Sequence, residues 1–261
     1  MLLPRVIPVL LLHRSGLVKS IRFKDYRYVG DPINAVRIFN EKEVDEICVL
    51  DIDASKHGKE PNYDYIEGLA TETFTPFSYG GGIRTAEQAR RLFRLGAEKV
   101  VLNTIFLEKP EIIREIADLA GNSSTVVSLD VKKNLFGKYR IYAHKTGKTT
   151  DLEPLAAAHR AISLGAGEIF INSVDLDGSM AGYDLKLIHS IATQVDVPVV
   201  ACGGAGNVQH LKEGLAEGNA SAVAAGSMFV FHGKHKAVLI NYPSRPEMER
   251  IFAKYDKETS Y

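Results

Sequence analysis

The chain has 261 residues, of which 45% are hydrophobic, so it is long enough to bury one sizeable core. Its 32 basic residues balance 32 acidic ones, which argues against a nucleic-acid or membrane-surface binder, since either needs excess positive charge. Cys48 and Cys202 lie far apart and offer neither a disulfide framework nor a metal-ligand spacing. With no signal-peptide cleavage site and no apolar stretch of about 18 residues, we expect a cytoplasmic enzyme without metal or cofactor.

Short apolar runs of strand type alternate with helix-type segments along the chain. The runs are rich in Val, Ile and Leu and show little polar alternation, as in parallel strands that are buried on both faces. We predict eight strands, at 6–11, 46–51, 75–79, 99–103, 125–130, 168–173, 197–202 and 221–225.

The helix signals lie between these strands. Thr85 and Gln88 form a capping box for one helix, which ends at Gly96, and Asp151 opens another, which ends at Gly165. Eight strand–helix units predict a single domain, 1–261, with the closed (βα)8 TIM barrel fold. The alternative, an open doubly wound sheet, is disfavoured because no GxGxxG follows the first strand.

Three short motifs occur twice, in the same order. LDIDAS at 50–55 matches VDLDGS at 174–179, GGGI at 80–83 matches GGAG at 203–206, and NTIF at 103–106 matches GSMF at 226–229. The spacing is also repeated, because Gly81 to Asn103 and Gly204 to Gly226 are both 22 positions. We therefore predict two half-barrels, at about 1–120 and 121–245, with four units each.

Polar residues end several predicted strands, where a (βα)8 barrel places its active site. Asp130 ends the fifth strand, and a buried carboxylate there is costly unless it has a purpose, so we predict that it is functional. Asp51 ends the second strand and is either functional or the cap of the following loop. The eight histidines show no HxxxH or HxH spacing, and we expect them to be surface or capping residues.

Two glycine-rich loops predict a phosphorylated ligand. Glycines after the third and seventh strands let backbone N–H groups approach an anion, and polar residues after the fourth and eighth strands complete each cradle. The repeat of this arrangement in both halves indicates a small molecule with two phosphates on opposite sides of the barrel mouth.

The sequence resembles the HisF family, the cyclase subunits of imidazole glycerol phosphate synthase, over nearly its whole length. The most specific segments are GDPINAVRIFNEKEVDE, LDIDAS, YGGGIRT, AEKVVLNT, LDGSMAGYD and ACGGAG. The resemblance implies a half-barrel repeat, and a HisH-like glutaminase partner whose ammonia enters at the bottom of the barrel. The ammonia would travel through the core to a phosphoribulosyl-formimino ribonucleotide at the top, which is cleaved and cyclised.

The resemblance also assigns roles to particular residues. It places phosphate contacts at Gly82, Asn103, Thr104, Gly204, Gly226 and Ser227. It places the charged ammonia gate at Arg5, Glu46, Lys99 and Glu168, and a contact with the glutaminase at Glu98. Lys19 matches a residue of the family's first active-site loop, whereas Asn172 stands where the family usually has Thr.

One departure concerns the catalytic pair of the family, two aspartates at the ends of strands one and five. Asp130 matches the second, but Leu11 occupies the first position. The repeat gives the same result without the family, since aligning 127–130 with 8–11 sets Leu11 opposite Asp130. Leucine cannot transfer a proton, and loss of a general acid or base typically costs ~10²–10⁴-fold in rate.

Three interpretations stay open. In the first, the chain resembles a HisF-like branch of surface-polysaccharide pathways, in which a HisH-like glutaminase and the barrel feed ammonia to a separate amidotransferase that makes acetamidino sugars. In the second, the chain is an imidazole glycerol phosphate synthase cyclase in which Asp51 or Asp177 replaces the missing aspartate. In the third, it is a non-catalytic scaffold that binds a phosphorylated effector and a glutaminase.

Overall fold

The computed structural model describes residues 4–14, 16–233 and 235–258, so both ends of the predicted domain lie outside the described residues. In chain order its elements are β1 (Arg5–His13), β2 (Gly16–Ile21), β3 (Lys24–Gly30), α1 (Pro32–Glu41), β4 (Ile47–Asp51), α2 (Tyr63–Glu72), β5 (Phe77–Gly80), α3 (Ala86–Arg94), β6 (Lys99–Leu102), α4 (Thr104–Glu108), α5 (Glu111–Ala120), β7 (Thr125–Lys133), β8 (Tyr139–Ala143), β9 (Lys148–Thr149), α6 (Pro154–Ser163), β10 (Glu168–Ser173), α7 (Leu185–Ala192), β11 (Val199–Cys202), α8 (Val208–Ala216), β12 (Ala222–Ala225), β13 (Phe231–His232), β14 (Ala237–Val238) and α9 (Arg245–Glu258).

Eight parallel strands close into a barrel, in the order β1, β4, β5, β6, β7, β10, β11, β12 and back to β1. Each corresponds to one predicted strand, which confirms the (βα)8 fold. Two strands extend beyond their predicted ends, β1 to His13 and β7 to Lys133. Both strands continue past the barrel because each enters an antiparallel hairpin, β1 with β2 and β7 with β8.

Local capping explains where two helices begin. At α3 the Thr85 hydroxyl accepts from the Gln88 N–H at 3.2 Å, as predicted, while the Gln88 side chain accepts from the Arg84 N–H. The prediction that Asp151 begins a helix is wrong, because the helix of that region, α6, begins at Pro154. Proline has a fixed φ and no N–H, so it favours the first position of a helix.

The apolar core has two parts, separated by the barrel wall. The outer part lies between strands and helices and includes the fully buried Phe39, Leu92 and Ile113. The inner part fills the barrel with small and medium side chains, namely Ile7, Val9, Cys48, Val101, Val126, Phe170, Val200, Cys202, Ala222 and Ala224. Both cysteines are buried free thiols within it. Over the described ranges, every helix is too short or too polar to cross a membrane.

The backbone after the strands is alike in the two sequence halves. Gly81 and Gly204 have φ of +121° and +113°, a region that side chains rarely adopt. Asn103 and Gly226 have φ of −126° and −109° and ψ of −76° and −70°, and each precedes a short helical turn. The backbone conformation is therefore repeated at these two pairs of positions, whereas in the pairs 80/203 and 82/205 only Gly203 and Gly82 have positive φ.

The hairpin formed by β2 and β3 lies over the carboxyl-terminal end of the barrel. The Ser20 hydroxyl donates to the Asp177 carboxylate at 2.9 Å, and the Arg22 N–H donates to the Asp177 carbonyl at 3.0 Å. Phe23, in the turn of this hairpin, packs edge-on against Tyr142 and His144. The segments after β7 and β10 therefore hold the hairpin down.

Gly178 permits this close approach, and we predict that Gly178→Ala loosens the hairpin. A Cβ at Gly178 would lie 1.9 Å from the Ser20 carbonyl oxygen, so backbone has to move. We expect amide hydrogen exchange across residues 16–30 to rise about tenfold or more. Gly137→Ala is the matched control, because Gly137 has a similar φ of +73° but nothing within 4 Å of its Cβ position. Equal exchange in the two variants would contradict the prediction.

Candidate active site

A cavity of about 150 Å³ opens at the carboxyl-terminal rim of the barrel, beneath the β2–β3 hairpin. All eight barrel strands contribute to its lining, as expected of an active site in this fold. Of the predicted site residues, the cavity brings together Leu11, Lys19, Asp51, Gly82, Asn103, Thr104, Asp130, Asn172, Asp177, Gly204, Gly226 and Ser227.

Asp130 is buried at the cavity wall, and two amide side chains hold its carboxylate. The Asn103 amide donates to one oxygen at 3.1 Å, and the Asn172 amide donates to the other at 3.2 Å. Burial raises the pKa of Asp130 to about 7, although both amides oppose the shift by stabilising the charged form. A carboxyl with this pKa is suited to take up and release protons near neutral pH.

The opposite wall of the cavity is apolar. β1 and β7 are four strands apart in a closed ring of eight, so Leu11 lies across the mouth from Asp130. Leu11 is in register with Leu50 of β4, and both pack against the inner core. The side chain at the Leu11 position of β1 therefore cannot exchange a proton.

Asp51, the next carboxylate along the rim, also organises a turn. One of its oxygens accepts from the N–H groups of Asp53 at 2.9 Å and Ala54 at 3.0 Å. Burial raises the pKa of Asp51, and these two backbone donors counteract the shift. The geometry thus fits the loop-cap alternative, while the second carboxylate oxygen leaves the functional prediction open.

Lys19 and Asp177 connect the β2–β3 hairpin to the cavity. The Lys19 ammonium is buried and donates to the Val9 carbonyl, and burial lowers the pKa of Lys19 to about 8. A Cβ on Gly226 would lie 2.8 Å from the Lys19 nitrogen, so this cation is beside the segment after β12. Burial raises the pKa of Asp177, opposed by the Ser20 hydroxyl and the Lys19 charge.

The glycine loops are shaped by close backbone contacts. A Cβ on Gly82 would lie 2.7 Å from the Lys59 carbonyl oxygen, and one on Gly204 would lie 2.0 Å from the Gly182 carbonyl oxygen. The Gly82 N–H donates to the Ser55 hydroxyl at 3.2 Å. Packing alone thus requires glycine at both positions, and their predicted role in phosphate binding stays a prediction.

The four predicted gate residues form one ion cluster at the amino-terminal end of the barrel. Arg5 donates to both Glu46 and Glu168, and Lys99 contacts the same two carboxylates at 3.1 and 3.3 Å. Both glutamates are 5% exposed, so two cations balance two buried anions. Glu98 precedes β6 at this end and is exposed.

Sequence reasoning missed the contribution of the segment after β7. His144 follows β8 and lines the cavity, so the expectation that every histidine is a surface or capping residue is wrong at this position. Tyr26 of the β2–β3 hairpin also lines the cavity and stacks on His13. Neither residue has a spacing signal, because folding of the hairpins over the mouth brings them there.

The buried carboxyl of Asp130 predicts a pH-dependent stability effect for Asp130→Asn. Because its folded-state pKa of about 7 exceeds the ordinary 3.8, the unfolded chain releases this proton first as the pH rises. The folded state therefore loses stability between about pH 4 and 7. Removing the carboxyl should add about 4 kcal/mol to the free energy of unfolding at about pH 8, relative to its effect at about pH 4.

Urea titrations at both pH values measure this difference. Asp118→Asn is the control, because Asp118 is exposed on α5, and its effect should not change between the two conditions. An Asp130→Asn effect that is equal at both pH values would contradict the elevated pKa.

Comparisons with known proteins agree with this architecture. The family described as "Histidine biosynthesis protein" matches residues 5–236. A protein of Leptospira interrogans, provisionally named imidazole glycerol phosphate synthase subunit HisF, is 49% identical over 97% of this chain and 100% of its own length. A Pseudomonas aeruginosa protein, provisionally named subunit hisF2 of that synthase, is 52% identical over 92% of this chain and 95% of its own length. The chain therefore belongs to the HisF family.

Proposed function

We propose that this chain is the synthase subunit of a glutamine amidotransferase that serves the amidination of a bacterial surface sugar. In this proposal a HisH-like glutaminase supplies ammonia, and a separate sugar amidotransferase receives it at the barrel mouth. The observation that carries the proposal is the apolar pair of Leu11 and Leu50 facing Asp130. Cyclisation in the HisF family uses two aspartates, and this cavity has a proton-transferring carboxylate at one of those positions only.

The ion cluster supports entry of ammonia at the amino-terminal end. The charges of the cluster balance and its carboxylates are already paired, so ammonium would have to shed its water there without gaining a free partner, whereas neutral ammonia would not. Above the cluster the barrel interior is lined by small apolar groups such as Ala222, Ala224 and Cys48. A neutral molecule loses less solvation there than an ion would, which favours ammonia as the species conducted.

The cavity groups support binding of a phosphorylated ligand where ammonia leaves the barrel. The glycine loops would hold the phosphates, with Lys19 as a cation beside Gly226, in the segment that completes the second cradle. With a pKa of about 7, Asp130 would take up and release a proton at the mouth near neutral pH. The Asn103 and Asn172 amides would keep the carboxylate pointed at the cavity.

A second candidate is the cyclase of histidine biosynthesis, in agreement with the names of the relatives. The observation that favours it is the presence of two further carboxylates, Asp51 and Asp177, in the same cavity. Burial raises the pKa of both, so either could replace the missing aspartate in proton transfer.

Turnover of the phosphoribulosyl-formimino ribonucleotide with excess ammonium salt separates the two candidates. Free ammonia bypasses the glutaminase, so the assay reports on the barrel alone. We expect Leu11→Asp to exceed the wild type by about 10²-fold or more, because it restores a proton-transferring group. Leu11→Asn, similar in size but unable to ionise, should stay at the wild-type level. If the wild type turned over this ribonucleotide, at a rate equal to that of Leu11→Asp, the result would establish the histidine-pathway cyclase instead.

The proposed glutaminase interface predicts an effect of charge at Glu98. Binding of the HisH-like glutaminase from the same organism, measured by titration calorimetry, should weaken about tenfold in Glu98→Lys, since charge complementarity is lost. Glu98→Asp should retain affinity. Asp64→Lys makes the same charge change at the start of α2, at the opposite end of the barrel, and should have no effect. Equal weakening by both lysine variants would argue against this interface.

A further inference from the structure

His144 lies on the side of the cavity where β1 carries Leu11, a residue that cannot act as an acid or a base. His144 directly follows β8, in the segment that returns from β7 across the barrel mouth. It lines the same cavity as Leu11 and Asp130. It has no counterpart among the repeated motifs.

Backbone contacts fix the side on which His144 lies. Its ring is hydrogen-bonded to the backbone of Ile52, which directly follows β4. The Ile52 N–H donates to the Leu12 carbonyl at 3.1 Å, which places this segment beside the end of β1. His144 is therefore near the ends of β1 and β4, opposite Asp130 on β7.

The groups around the ring favour an uncharged imidazole. Burial lowers the pKa of His144, helped by the positive charge of Lys56 and opposed by the Ile52 hydrogen bond and the charge of Asp53. From the β2–β3 hairpin, Phe23 contacts the ring edge-on with centroids 5.6 Å apart. In the uncharged ring one nitrogen carries a proton, and the other has a lone pair available to accept one.

The carboxylates of the cavity are more fully engaged than this nitrogen. Asp51 accepts two backbone N–H groups, and Asp177 accepts the Ser20 hydroxyl and the backbone of Phe23. Within the described part of the chain, the second nitrogen of His144 has no hydrogen-bond partner. It is thus, beside the second oxygen of Asp51, an acceptor on the Leu11 side that a ligand would not have to displace from a protein contact.

We propose that His144 is the proton-transfer group on the Leu11 side of the cavity, acting opposite Asp130. The inference rests on the proposed function to the extent that this cavity binds the phosphorylated ligand. His144 would take a proton from an N–H or O–H of the ligand and become an imidazolium. Protonated Asp130 would give its proton to an atom on the opposite side, so the ligand gains one proton and loses one. Transfer of a proton from His144 to water and from water to Asp130 restores both groups.

The test is nitrogen-15 NMR of the histidine rings in the full chain, with His144→Gln to assign the signal. We expect His144 to be uncharged at neutral pH with a single protonated ring nitrogen. In Leu11→Asp the new carboxylate would face the ring, and the proton affinity of His144 should rise about tenfold. His159, exposed on α6, is the internal control and should not respond. An unchanged His144 titration in folded Leu11→Asp would overturn the proposal.

A second measurement uses the wild type and inorganic phosphate. Phosphate bound in the cavity should also raise the proton affinity of His144 and shift the unprotonated nitrogen, whereas His159 stays constant. Bound phosphate that leaves the His144 signal unchanged would count against the proposal even if Leu11→Asp does not fold. Absence of phosphate binding would instead contradict the phosphate cradles of the proposed function, and the Leu11→Asp titration would still decide the role of His144.

Discussion

Closure of the parallel sheet through β1 is the constraint on which the rest of the structure depends. β1 pairs with β12 over 5–8 and with β4 over 9–12, so it joins the last strand of the barrel to the second. Pro8, which lacks an N–H, aligns with Ala225 at the end of β12, where the ladder finishes and the missing donor costs least. Closure brings all carboxyl ends to one cavity and places the four gate side chains at the other end.

This shared geometry makes the difference between the two halves chemically significant. The backbones at Asn103 and Gly226 are nearly alike, so both halves offer equivalent positions around the mouth. The second half buries the carboxyl of Asp130, which costs stability, and two amides hold it in place. The first half packs the partly buried Leu11 beside Leu50 at no such cost. The repeat therefore offers two equivalent strand ends, and of these two only the end of β7 carries a carboxyl.

The sequence was sufficient where short-range patterns determine the structure. Apolar runs located all eight strands, and the Thr85–Gln88 pair located a helix start, because both depend on neighbouring residues. Asp151 was wrongly predicted to begin a helix, because the capping signal of its side chain competes with the signal of Pro154, whose ring favours the first helical turn. The expectation that active-site residues end the barrel strands identified Asp130, but it did not predict the hydrogen bonds of Asp130 to two amide side chains. His144 was beyond this reasoning, since its position depends on how a hairpin folds across the barrel.

The β2–β3 hairpin links the mobility of the cavity mouth to the charges inside it. Arg22 and Phe23, in its turn, both have positive φ without being glycine, so contacts elsewhere must sustain this conformation. Those contacts are the Asp177 bonds and the packing of Phe23 on His144. Burial is the main cause of the pKa shifts of Lys19, Asp177 and His144. Lifting the hairpin would hydrate all three groups and return their pKa values toward normal, so the shifted proton affinities of the cavity depend on a closed hairpin.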